Sequence, residues 1–246
     1  MSGLTEFPGP CTARPEYETD SGWHSKEGKM DLEKARFNMI EQQIRPWDVL
    51  DQEILDLLAV VKREQFVPAA YQALAFVDTE IPLPGGQNML APRVEARVLQ
   101  ELGVRKHENV LEIGAGSGYM AALLAHRARH VLTVDIRPEL AALARENLAK
   151  AGIVNVEVAE GNAADGWPAG APYDVICISG SLPAVPEAML SQIKVGGRIA
   201  AFVGTLPVME AQLITRVSDT EYQTVNLFET AVAPLTGIKP PSRFQF

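Results

Sequence analysis

Apolar residues recur along this chain in two periods. From residue 109 onward, short apolar runs alternate with amphipathic stretches. Runs at 109–113, 131–135, 154–158, 173–178 and 197–203 read as strands, and about 118–127, 138–150 and 185–193 read as helices. Alternation of this kind predicts a parallel sheet covered on both faces. Upstream, residues 30–80 carry helical stripes. Leu32, Ala35, Met39 and Ile40 mark a first helix opened by Met30 and broken by Arg45-Pro46-Trp47-Asp48. Asp51 caps a second helix striped by Ile54, Leu55, Leu58 and Val61, and Pro68 starts a short third. Residues Ile81 to Ala91 are too rich in Pro and Gly for a regular element and predict a loop. Pro92 opens a helix with Val94, Val98 and Leu102 on one face. After Gly204 the pattern changes, and Gln212–Val217 with Thr224–Thr230 reads as a closing antiparallel pair. The expected fold is α/β: a doubly wound, mainly parallel sheet with a helical N-terminal segment and that closing pair.

Three regions follow. Residues 1–29 are rich in Gly, Pro, Ser, Thr and Glu without hydrophobic periodicity. They are expected to be a disordered extension or a non-native leader, with Met30 as a second candidate initiator. Residues 30–80 form the helical segment and 81–246 the main domain. The tail from Pro240 to Phe246 is expected to be extended, its phenylalanines docked on the body.

Composition narrows the function. A formal net charge of -9 argues against nonspecific nucleic-acid binding, which needs clustered Lys and Arg. Two cysteines, Cys11 and Cys177, the latter inside an apolar strand, argue against a disulfide framework and fit a reducing cytoplasm. The four histidines show no metal-ligand spacing; His126 and His130 are flanked by arginines at a helix end and read as a solvated face. Neither a membrane-spanning apolar run nor a secretory signal is expected.

The chemistry concentrates in Glu112-Ile113-Gly114-Ala115-Gly116-Ser117-Gly118-Tyr119. A buried strand ends there in an acid and breaks into a turn whose alternate glycines let a ligand approach the backbone, ahead of a helix N-terminus. Asp135 ends the next strand, about 20 residues downstream, where an acid grips ribose hydroxyls; Ile136 follows it. The order differs from the dinucleotide fingerprint G-x-G-x-x-G. Acid-x-Gly-x-Gly-x-Gly resembles motif I of the S-adenosylmethionine-dependent methyltransferases, which implies a Rossmann-like fold and that cofactor. The cofactor has no phosphate but carries an ammonium, a sensible neighbour for Glu112. Gly161-Asn162-Ala163 follows the third strand, so Asn162 and Ala163 are placed to meet the adenine, or form an ordinary turn. Ser179 and Ser181, after the fourth strand, either contact substrate or satisfy their own turn. Cys177 should point into the sheet, which excludes a cysteine nucleophile.

Further words resemble the protein-L-isoaspartate O-methyltransferase family from residue 30 onward. They are Met39-Ile40-Glu41-Gln42-Gln43-Ile44-Arg45, Arg63-Glu64-Gln65-Phe66-Val67-Pro68, Pro82-Leu83-Pro84-Gly85-Gly86-Gln87, Gly166-Trp167-Pro168, Pro172-Tyr173-Asp174 and Lys194-Val195-Gly196-Gly197-Arg198. The resemblance implies methylation of isoaspartyl carboxylates in damaged protein, with a protein or peptide partner and no nucleic acid or membrane. It also exposes two departures. Leu90 stands where the family places an active-site serine, and Gly161-Asn162-Ala163 replaces Gly-Asp-Gly. Asn88, Leu90 and Ser179 are thus the residues expected around the acceptor. A different substrate, or a non-catalytic cofactor-binding role, remains the alternative.

Overall fold

The computed structural model describes residues 31–238. The expectations for residues 1–29, for Met30 as the helix start and for the Pro240–Phe246 tail lie outside the described residues.

The chain begins with α1 (Leu32–Met39), which runs through a π-helical turn at Ile40–Ile44 and a 3-10 turn at Arg45–Trp47. Asp48, at φ 61°, ends it. Helix α2 (Gln52–Val60) is capped by the Asp51 side chain, which accepts from the Glu53 amide at 2.9 Å. Residues Ala69–Leu74 after Pro68 form a 3-10 helix. The predicted loop 81–91 is corrected: it holds two short antiparallel strands, β1 (Ile81–Leu83) and β2 (Gln87–Met89), joined by a turn with Gly85 and Gly86 both at φ 72°. Pro82 is tolerated because a two-stranded ribbon leaves each strand an unpaired edge.

Helix α3 (Pro92–Leu102) leads into the alternating region. This comprises β3 (Asn109–Ile113), α4 (Tyr119–Arg127), β4 (His130–Asp135), α5 (Pro138–Lys150), β5 (Val156–Glu160), β6 (Tyr173–Leu182), α6 (Glu187–Leu190), β7 (Ile193–Thr205), β8 (Val208–Arg216) and β9 (Tyr222–Thr230). The main sheet has seven strands in the order β5-β4-β3-β6-β7-β8-β9. β5 through β7 pair in parallel; β8 and β9 close the sheet antiparallel. The predicted helix at 185–193 shrinks to Glu187–Leu190, because β7 begins at Ile193. The predicted break at Ser179 is also absent. β6 continues to Leu182 because the segment after β9 runs beside it: the Ser181 amide donates to the Ala233 carbonyl, and the Leu235 amide to the Ser181 carbonyl, both at 2.9 Å.

Alternation along β3 sends Val110 to one core and Leu111 and Ile113 to the other. Val110's core includes α2, α3, α4 and the N-terminal segment; Met39, Leu58, Phe66 and Leu99 lie in it. Glu112 points to that same face, fully buried. From β3 the chain steps to β4 and β5 on one side and then to β6 on the other. The strand ends of β3, β4 and β6 therefore border the crevice where open α/β sheets bind ligands.

Candidate active site

At that crevice lies an open cleft. Gly114 and Gly116 line it at φ 94° and 52°, conformations that favour glycine, and Asp135, Ile136, Gly161 and Ala163 line its far side. Asp135 also braces the turn: its carboxylate accepts from the Gly116 amide at 3.1 Å and the Arg137 amide at 3.0 Å. Burial raises its pKa against those bonds. Asn162, predicted to face the adenine, turns its side chain back to accept from the Ala164 amide at 2.9 Å. The cleft wall there is formed by its neighbours.

The glycine turn also faces a second, adjoining pocket, shared by Gly114, Ala115, Gly116, Ser117, Tyr119, Asn88, Leu90, Glu112 and Ser179. Gly118 lines neither space. A side chain there would meet the Ala144 backbone at 3.2 Å, so this third glycine lets α5 pack closely. Tyr119 is core-facing, its ring tilted against Phe66 with centroids 5.4 Å apart.

Glu112 lines the second of these spaces. Its carboxylate accepts from the Thr133 hydroxyl at 2.6 Å and the Ser179 hydroxyl at 3.0 Å. It forms no ion pair with a described residue, and burial pushes its pKa up to about 8. A buried acid without a countercharge, beside an open cleft and a glycine turn, fits a ligand that brings a cationic group. Ser179 borders both spaces, whereas Ser181 is buried and donates to the Val232 carbonyl at 2.8 Å. Asn88 borders both spaces and donates to Glu80 at 2.8 Å. Leu90 is buried, with its carbonyl taking a hydrogen bond from Arg63 at 2.6 Å. Cys177 is buried, and burial raises its thiol pKa, so it is no nucleophile. Among the described residues no group of side chains could hold a metal ion.

Leu235 and Thr236 complete the cleft and were not foreseen. They follow the last strand, and only the return of that segment past β6 brings them over the glycine turn; Gln87 reaches Thr236 at 3.4 Å. The Pro234-Leu235-Thr236-Gly237 turn is the one sequence signal of them.

The family model for protein-L-isoaspartate(D-aspartate) O-methyltransferase matches residues 34–239. Protein-L-isoaspartate O-methyltransferase 2 of Marinobacter nauticus is 39% identical over 87% of this chain and 97% of its own. A protein-L-isoaspartate O-methyltransferase of Methanoculleus marisnigri is 37% identical over 83% of this chain and 92% of its own. Among solved structures, a protein-L-isoaspartate O-methyltransferase superposes with a TM-score of 0.71 at 25% identity, covering 84% of this chain, which spans 66% of that one. A Plasmodium falciparum chain crystallised with S-adenosyl-L-homocysteine superposes with a TM-score of 0.70, covering 82% of this chain and 98% of its own; at 16% identity that likeness is one of fold. With the glycine turn and its paired acids in place at the strand ends, and the match running through nearly all the described residues, the chain belongs to the protein-L-isoaspartate(D-aspartate) O-methyltransferase family.

Proposed function

We propose that this protein is an S-adenosylmethionine-dependent O-methyltransferase that esterifies the free carboxylate of isoaspartyl residues in damaged proteins. The observation that carries the cofactor is the buried Glu112, without an ion-pair partner among the described residues, in a pocket shared with Gly114 and Gly116, which also wall the cleft with Asp135. Glu112 and the glycine turn are the residues to hold the amino-acid end, Asp135 the ribose, and Ile136 with Ala163 the adenine. The substrate class rests on family membership. The bound cofactor supplies a methyl group activated by its sulfonium.

The chain's own residues have a modest task. A carboxylate acceptor is already ionised at neutral pH, so no general base is needed. The protein has to place the acceptor in line and exclude water. Asn88 and Ser179 supply polar groups on the acceptor side, and Leu83, Met89 and Leu90 supply the apolar wall. The net charge of -9 supports a protein rather than a nucleic-acid acceptor. Among the described residues no helix is long and apolar enough to cross a membrane. With the sparse cysteines, we place the activity in the cytoplasm.

One observation favours a second reading. Leu90 offers no hydroxyl to an acceptor carboxylate, so the same cofactor site could serve another acceptor. Purified protein with labelled S-adenosylmethionine, assayed against an isoaspartyl peptide, its aspartyl twin and a cell extract, separates the two. Label in the isoaspartyl peptide alone supports the first reading. Label only in the extract supports the second, and cofactor binding with no transfer supports a binding role.

A further inference from the structure

Behind the acceptor side lies a guanidinium with no access to water. Arg63 is 0% exposed. One terminal nitrogen pairs with the Glu95 carboxylate; the other donates to the Leu90 carbonyl at 2.6 Å. Its plane lies over the Tyr119 ring, 5.1 Å from the centroid. The three contacts reach three separate pieces of chain: the end of the glycine turn, α3, and the residue after β2. Leu90 belongs to neither β2, which ends at Met89, nor α3, which begins at Pro92, so no ladder or helix partner is assured for its carbonyl. Asn88, Met89 and Leu90 share one pocket with Glu112, Gly114 and Ser179. Glu95 lines it too. A buried ion pair is a poor source of net stability, since an apolar pair of like volume does as well or better. What a planar, two-armed guanidinium adds is fixed geometry.

We propose that Arg63 is a positioning residue: with Glu95 as its anchor, it clamps the Leu90 backbone and so sets where the Asn88–Leu90 segment meets the methyl acceptor. This rests on the reading that Asn88–Leu90 borders the acceptor. The residues proposed for the ribose and adenine, Asp135, Ile136 and Ala163, lie on the other side of the glycine turn. Glu112 and the glycine turn share the pocket with Asn88–Leu90, so the clamp acts first on acceptor geometry and only secondarily on the cofactor's amino-acid end. A lysine at 63 keeps the charge opposite Glu95 but cannot reach both partners with a rigid fork.

The test compares wild type, Arg63→Lys and Glu95→Gln by amide hydrogen exchange, S-adenosylmethionine calorimetry and steady-state kinetics on an isoaspartyl peptide. In Arg63→Lys, exchange at residues 88–90 should rise about tenfold or more while that of β3 holds. Cofactor Kd should change far less than kcat/KM for the peptide, which should fall ~10- to 100-fold, as displacement of a positioning loop does. Glu95→Gln should shift the same readouts in the same direction. Unchanged exchange at 88–90, or faster exchange with unchanged kcat/KM, overturns the proposal. So does a parallel loss of cofactor affinity, which marks a general structural role. Should the variants fail to fold, wild type decides: residues 88–90 exchanging as fast as the Gly85-Gly86 turn rules the clamp out. A wild type that binds cofactor but ignores the peptide defeats the isoaspartyl reading instead, and exchange with calorimetry then still judges the clamp.

Discussion

Leu90 and Glu112 line one pocket and make opposite demands on it. Leu90 presents carbon where the family resemblance leads one to expect a hydroxyl. Replacing it with serine should raise kcat/KM for an isoaspartyl peptide by roughly one to two powers of ten, the worth of one hydrogen bond to a charged group in the transition state. Full wild-type activity that serine does not improve would show that Asn88 and backbone amides already hold the acceptor. Glu112 makes a prediction about pH. Its carboxyl carries a pKa of about 8 in the fold against an ordinary value of 4.5, so the folded state binds the extra proton between those limits. That contribution to stability is fully present below about 4.5 and is lost as pH rises to about 8. The melting temperature of the cofactor-free protein should therefore fall less steeply across that window in Glu112→Gln than in wild type; equal slopes would refute the assignment. The acid itself was legible in the sequence as the end of a buried strand. Its two hydroxyl partners were not, because Thr133 and Ser179 come from the neighbouring strands on either side.

The glycine turn divides its labour along a few residues. Gly116, at φ 52°, faces the cleft, and a side chain there would press on Leu83 at 3.3 Å. Gly118, at φ 84°, faces α5. Gly116→Val should abolish S-adenosylmethionine binding. Gly118→Ala should cost about 1–3 kcal/mol of stability through strain and the Ala144 contact while leaving cofactor affinity little changed. Calorimetry and thermal melts on both variants check this, and loss of binding in Gly118→Ala without loss of stability would count against the division. Periodicity found the elements around this turn because each is a run long enough to show a period. It missed β1 and β2, three residues each, where proline and glycine outweigh any alternation. It also lost the end of β6, whose partner lies far along the chain, after β9.

Across the molecule, titratable groups oppose one another. Glu108 and Asp174 work the other way from Glu112. Burial raises their pKa values, but Arg198 and the Arg105 amide bring Glu108 below its ordinary value, and the Asn109 amide with Lys194 does the same for Asp174. Their contributions are present above the ordinary values of 4.5 and 3.8 and are lost on acidification. Glu95, raised by burial to about 7, adds to the loss at higher pH. Stability should therefore peak near roughly pH 4.5, where the acid-side gains are complete and the losses from Glu112 and Glu95 have barely begun, read as a dome in melting temperature against pH. Arg198→Ala should lower the whole dome and soften its acid limb, because Arg198 ties the carbonyls of Leu102 and Gly103 and the Glu108 carboxylate together. An unchanged acid limb would place the acid sensitivity elsewhere. The sequence by itself determined the alternation of strands and helices, hence the α/β class, and the glycine turn with Glu112 and Asp135, because these depend on short-range period and spacing. The tertiary structure alone decided the order of the strands in the sheet, that Leu235 and Thr236 roof the cleft, and that Arg63 is buried against Glu95 and Leu90. Those facts depend on contacts between residues distant in the chain, and a charged residue in a sequence carries no mark of whether the fold will bury it.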